Sequence, residues 1–225
     1  MHIDIVARPA ASAARVTLDR AEMLRCEVGA MIAMTDGFDV TTTAHSRGGG
    51  FLRGLRRMLA QESFFVNEFV ARGDGQQLVI GPTLMGDIIH HRLEGGSLIV
   101  QGGSWLASSG DIRVDATWQG LGNALWSGES MFWVQCHGTG DLLLNSYGGI
   151  YEVQLRDDYM VDTGHIVAFE DTLKFRVGRA TDSWLSTWLS GEGLICKFSG
   201  QGKLYCQTHN PPNFGRLIGP QLRPR

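Results

Sequence analysis

Residues 191–208 read GEGLICKFSGQGKLYCQT: an acidic start at Glu192, an apolar run LICKFS, the turn Gly200-Gln201-Gly202, and an apolar return KLYCQT. The same order occurs twice earlier. Gln61-Glu62-Ser63 opens FFVNEFVA, which passes Gly73-Asp74-Gly75 into QQLVIG; Gly128-Glu129-Ser130 opens MFWVQCH, which passes Gly138-Thr139-Gly140 into DLLLNS. Runs of strand length around G-x-G predict a β-hairpin in each copy, with a type I turn followed by a left-handed residue. The second glycine of each triplet, Gly75, Gly140 and Gly202, is expected to take that positive φ.

Working outward, Arg53 to Leu59, Leu121 to Trp126 and Ser183 to Leu189 each read as about two helical turns ahead of Glu62, Glu129 and Glu192. Further upstream, a turn enters a strand at Val28 to Met34, Gly95 to Val100 and Thr163 to Ala168. A second short strand follows each, around Phe38 to Val40, Ile112 to Val114 and Leu173 to Val177. An acid and a hydrophobe stand at Glu22-Met23, Asp87-Ile88 and Asp158-Tyr159. The period is about 65 residues. The expected architecture is all-β: three tandem modules, 1–81, 82–147 and 148–210, with short helices between strands and a surface tail, 211–225. Units this small bury too little surface alone, so they are expected to pack with pseudo-threefold symmetry. Exposed sheet edges favour a homo-oligomer, a trimer first.

Composition narrows the function classes. The chain of 225 residues carries 30 glycines but only six prolines and 43% hydrophobic residues, which fits a folded, turn-rich protein. A net charge of −3 gives no general attraction for phosphate polymers. The N-terminal sequence lacks an apolar export segment, and no run of 18 apolar residues occurs, so a cytoplasmic location is expected. Cys26, Cys136, Cys196 and Cys206 are too sparse for a disulfide scaffold. Counting outward from Gly200 to Gly202 places Cys196 opposite Cys206 in the third hairpin, where two buried thiols are favoured over a reversible disulfide.

P-loop, nucleophile-elbow, zincin and EF-hand patterns are all missing, so no catalytic residue, cofactor or metal is assigned. Gly48-Gly49-Gly50 lacks the context of a phosphate loop. His90 and His91 point to opposite faces of a strand and cannot readily share a metal. Glu62, Glu129 and Glu192 recur as a structural signature, lying too far apart for paired-carboxylate chemistry. Arg47, Arg53, Arg56 and Arg57 form the one dense basic group, interleaved with Phe51, Leu52, Leu55, Met58 and Leu59. A basic amphipathic helix of this kind suits a partner's acids, an anionic membrane or RNA, as well as a plain solvated face. Trp184 and Trp188, four apart, suit core or subunit contact.

Val28 to Met34 (VGAMIAM), Arg56 to Asn67 (RRMLAQESFFVN) and Gly191 to Thr208 together resemble the altered-inheritance-of-mitochondria family, from about Ile3 to Asn210. Gln61 departs from the glycine usual there. The resemblance implies a threefold-duplicated, TRAP-like β fold, a short double-stranded β-helix or sandwich, and it implies oligomers. It also implies a tie, in eukaryotic relatives, to organisation of the mitochondrial inner membrane. It supplies no catalytic residues. The leading expectation is a non-enzymatic oligomeric β scaffold that binds a protein or membrane-associated partner. RNA binding by analogy with the attenuation protein, and small-ligand binding in a β-helix interior, are the alternatives.

Overall fold

The computed structural model describes residues 1–45, 64–117, 133–179 and 194–222. Among the described residues the fold is mostly β, with several antiparallel sheets and one short α-helix. The first stretch of chain holds β1 (His2–Val6), β2 (Ala13–Leu18), β3 (Met23–Glu27), β4 (Met31–Met34), β5 (Phe38–His45), β6 (Phe64–Ala71) and β7 (Gln76–Ile80). The second holds β8 (Ile88–Gln101), β9 (Trp105–Ser109), β10 (Ile112–Thr117) and β11 (Trp133–Asn145). The third holds β12 (Ile150–Leu155), β13 (Tyr159–Asp162), β14 (Ile166–Glu170), β15 (Lys174–Arg179), β16 (Leu194–Ser199) and β17 (Gly202–Gln207), followed by α1 (Pro211–Ile218).

One pairing order recurs in all three. In the first stretch β6 lies between β3 and β5, while β7 lies between β2 and β4. In the third, β16 lies between β13 and β15, and β17 between β12 and β14. The second uses two long strands for four roles. The first half of β11 pairs with β10 and the second half of β8; its second half pairs with β9 and the first half of β8.

These pairings correct the expected hairpins. The arms on either side of each G-x-G do not pair with one another: β6 and β7 belong to different sheets, as do β16 and β17, and β11 runs unbroken through Gly138-Thr139-Gly140 with a register shift beside it. Each arm is already flanked by partners on both sides, so no hydrogen-bonding edge remains for its neighbour in sequence. In the first and third copies the triplet carries the chain from one sheet to another, and in the second it marks a bulge within β11 in a single sheet. The expected positive φ holds at Gly75 (+68°), but in the other two copies the first glycine takes it, Gly138 at +126° and Gly200 at +108°. Gly140 and Gly202 are needed for another reason: a Cβ there would lie 2.3 Å from Ser109 Oγ and 2.6 Å from Thr172 Oγ1. Gly73 and Gly75 sit in a longer link, since β6 ends at Ala71 and β7 begins at Gln76.

Two further expectations change. Cys196 faces Val161 and Val177, and Cys206 faces Tyr151 and Ile166, so the two are not cross-strand partners. Both are nonetheless fully buried in the same core cluster, as free thiols. The strand equivalent to β4 and β14 is β9, not Gly95 to Val100, because the turn that enters it is the 3₁₀ turn Gly102–Ser104, matched by Thr163–His165 before β14. The strands foreseen around Phe38, Ile112 and Leu173 are β5, β10 and β15. The three predicted helices, with Glu62, Glu129 and Glu192, lie outside the described residues.

Apolar alternation explains the layers: β2 buries Ala14, Val16 and Leu18 and turns the intervening residues outward. The three core clusters do not follow the three stretches. Leu106, Ala107 and Leu143 pack with the first-stretch strands, and Val167, Ala168 and Tyr205 with the second. The stretches are joined by sheet continuity, β3 to β9 and β8 to β14. The tail begins as a helix because Asn210 caps it, its side chain accepting from the Asn213 N–H, and Pro211-Pro212 suit a first turn. Among the described residues, no helix is long and apolar enough to cross a membrane.

Candidate functional site

A cavity of about 530 Å³ opens where the three stretches meet. Its walls come from the ends of matching strands. The first stretch contributes Glu27, the link into the second Thr83, the second Gln101, Ser104 and Asn145, the third Thr163, Gly164 and Gln207, and Pro211 and Pro212 stand at its side.

The polar groups follow a common construction. Gln101 ends β8, and its side-chain oxygen accepts from the Gly103 N–H at 2.8 Å; Asp162 ends β13 and accepts from the Gly164 N–H at 2.8 Å. On the far wall Asn145 donates to the Gly103 carbonyl at 3.1 Å and Gln207 to the Gly164 carbonyl at 2.8 Å. Each turn is thus held from both sides. In the first stretch the turn is of another kind: Gly29 sits at φ +89° and the Ala30 N–H donates to the Glu27 carbonyl at 3.1 Å. Glu27, which occupies the place of Gln101 and Asp162, is released from capping.

Two acceptors in this cavity are therefore unusual. Among the described residues the Glu27 carboxyl has no hydrogen-bond partner, and burial pushes it up to about 7. Asn145 is 8% exposed, and its Oδ1 is buried without a partner. Gln207 differs, because its Oε1 accepts from the Tyr147 N–H at 2.8 Å. The Tyr147 ring in turn packs against His209 and the Phe214 ring of α1, at 5.3 and 5.4 Å between centroids. The arrangement offers a protonatable carboxyl and an orphan carbonyl oxygen to a ligand that donates hydrogen bonds.

The described glycines of the three G-x-G triplets do not line this cavity. Arg47, Arg53, Arg56 and Arg57 lie outside the described residues, as do Trp184 and Trp188. The histidines act singly. His90 and Arg92 both reach Asp141 at 2.8 Å, while His91, on the other face of β8, meets the Tyr205 hydroxyl at 3.1 Å. Among the described residues no group of three His, Cys, Asp or Glu is placed to hold a metal. Glu27 and Asn145 escaped sequence reading, although a signal existed: Glu27-Val28-Gly29, Gln101-Gly102-Gly103 and Asp162-Thr163-Gly164 share a polar residue two places before glycine.

The chain is 28% identical over 209 residues to an uncharacterised protein of Streptococcus pyogenes serotype M6, covering 90% of this chain and 84% of that one. Its fold matches the crystal structure of a second Streptococcus pyogenes protein, with a TM-score of 0.81, 24% identity, and coverage of 98% of this chain and 99% of that one. The model of one family, described as mitochondrial biogenesis AIM24, matches residues 3–209. With the match spanning every described strand but the first residue of β1, the chain belongs to the AIM24 family.

Proposed function

We propose that this AIM24 protein is a non-enzymatic β scaffold made of three equivalent, TRAP-like units, 1–81, 82–147 and 148–210, arranged with pseudo-threefold symmetry, which assembles with copies of itself and binds a partner through the assembled surface. The observation that carries the reading is a pair of sheet edges that are unpaired among the described residues. β4 ends one sheet and β13 another, and both expose large apolar side chains, Met31, Ile32 and Met34 on the first, Tyr159 and Met160 on the second. Such edges are liabilities in a free monomer and natural joints in an assembly. The recurring pairing order supports the equivalence of the units. Native mass spectrometry and light scattering test the reading: masses at multiples of 24.7 kDa are expected, and a monomer at every concentration overturns it.

A second reading, a small-ligand site, is favoured by the unpartnered Glu27 carboxyl and Asn145 Oδ1 in one cavity. The ligand class is a small organic molecule with an amine or hydroxyl donor. A thermal-shift screen of simple amines and polyols on wild type and Glu27→Gln tests it. A hit lost in the variant supports the site, and the absence of any hit that depends on Glu27 removes it.

A further inference from the structure

We infer that the cavity where the three stretches meet binds a small organic amine as its cation, with the ammonium on the Glu27 carboxylate and the hydrocarbon part against Leu84, Ile166, Pro211 and Pro212. This rests on the small-ligand reading and names its ligand class.

Two strand ends recur in each stretch. β3, β8 and β13 end in Glu27, Gln101 and Asp162, while β7, β11 and β17 end in Ile80, Asn145 and Gln207. In the second and third stretches the two ends clasp a glycine turn between them, one accepting from its N–H and the other donating to its carbonyl. In the first stretch both halves of the clasp are missing. Ile80 is fully buried and has no side-chain amide to donate, and the Ala30 N–H is satisfied by the backbone carbonyl of Glu27. Among the described residues nothing in the fold uses the Glu27 carboxyl.

The amide donors around the cavity are spent, and two acceptors are not. The Gly103 and Gly164 amides, which could otherwise seat an anion, already donate to Gln101 and Asp162, and the Tyr147 amide donates to Gln207. Asn145 Nδ2 has to face the Gly103 carbonyl, so the orphan Oδ1 is fixed as an acceptor and cannot be flipped into a donor. The matching oxygen of Gln207 is filled by Tyr147, whereas the link after β7 opens with Gly81-Pro82 and sends no amide to Asn145.

Charge points the same way. Among the described lining residues Glu27 is the one carboxylate, and no lysine, arginine or histidine accompanies it. Burial accounts for its raised pKa, with no cation among the described residues to offset it. An ammonium supplies that charge, and a charge-assisted hydrogen bond is about twice as strong as a neutral one, which favours an amine over a hydroxyl. A cavity of about 530 Å³ suits a small organic molecule, and a bare metal ion is a poorer match because no group of three ligating side chains occurs among the described residues.

Calorimetric titration of the full chain tests this at about pH 8, where Glu27 is ionised and an alkylamine keeps its proton. The probes are n-butylamine, its neutral isostere butan-1-ol and the anion butyrate. Butylamine is expected to bind the wild type saturably and to bind Glu27→Gln roughly tenfold more weakly, with butan-1-ol similarly weak on the wild type and butyrate not bound. Butylamine that binds both proteins equally overturns the inference, as does butyrate that binds as tightly as the amine, or no saturable butylamine binding at millimolar concentration. The comparison of the three probes needs the wild type alone, so it decides the matter even where a melting curve shows Glu27→Gln to be poorly folded. If butan-1-ol binds as tightly as butylamine and is lost in Glu27→Gln, the small-ligand reading stands and the cation falls. If no probe, here or in the thermal-shift screen, depends on Glu27, both fall.

Discussion

Arg8 grips the buried Asp87 carboxylate with two parallel hydrogen bonds, Nε to Oδ1 at 2.9 Å and an Nη at 2.8 Å to Oδ2. The turn after β1 is thereby tied to the start of β8. Asp87 also accepts from the Ser12 hydroxyl at 2.9 Å and its neighbour Ile88 N–H at 2.8 Å, so the carboxylate is held on several sides.

Removing that carboxylate strands its donors. Asp87→Ala is expected to destabilise the fold by about 2–4 kcal/mol, toward the lower end because the Arg8 side chain is half exposed and can rehydrate. Urea unfolding of both proteins at neutral pH measures the difference. A change below about 0.5 kcal/mol would mean the clamp contributes nothing.

The same residue sets an acid limit. Burial alone would raise its pKa, but the Arg8, Ser12 and Ile88 donors and the Arg8 charge bring the carboxyl below the ordinary value of 3.8. A depressed folded-state pKa contributes stability that is present above the unfolded value and lost as the pH falls through the folded one. The stability gap between wild type and Asp87→Asn is therefore expected to shrink as the pH drops below about 4. Denaturant midpoints through the acid range check it.

Glu27 has the opposite sign. Its carboxyl titrates at about 7 in the folded chain against an ordinary 4.5, so its neutral form suits the fold and its ionisation opposes it. Wild type is expected to lose stability relative to Glu27→Gln as the pH rises from about 4.5 through 7, and to level off above. Melting temperatures of the two proteins across this range give the answer. Parallel pH profiles would show that Glu27 is solvated.

The thiols are expected to be silent. All four cysteines are buried, and burial pushes Cys196 up to about 12 and Cys206 to about 11. A thiol-specific chromogenic reagent is expected to find no reactive cysteine in the native protein and all four after denaturation. Fast native labelling of Cys196 or Cys206 would contradict the packing.

Trp133 tests the third core. It is fully buried and meets the Phe169 ring edge to face, 5.3 Å between centroids. Trp133→Ala is expected to cost about 3–5 kcal/mol, with Trp133→Phe milder because the ring contact survives. Chemical denaturation curves measure both.

Much of this was legible in residue order. The all-β class, the strands at Phe38, Ile112 and Leu173, and the burial of Cys196 and Cys206 follow from apolar runs and glycine spacing, which are local properties. The direction taken after each G-x-G was not legible. Whether Gly138 reverses a strand or bends it depends on which edges are already occupied, and those partners lie in β8, β9 and β10. The site was hidden for a similar reason: Glu27 and Asn145 are far apart in sequence, and each is ordinary there.

The amino-acid order determined by itself that glycine, acid and apolar runs recur three times, because repeats and turn chemistry are written in neighbouring residues. Only the tertiary structure decided that the arms of each triplet do not pair with one another, and that two of three equivalent joints are made while, among the described residues, β4 and β13 stand open. Pairing between strands distant in sequence depends on competition for hydrogen-bonding edges across the whole chain. That competition left Met34 and Met160 exposed.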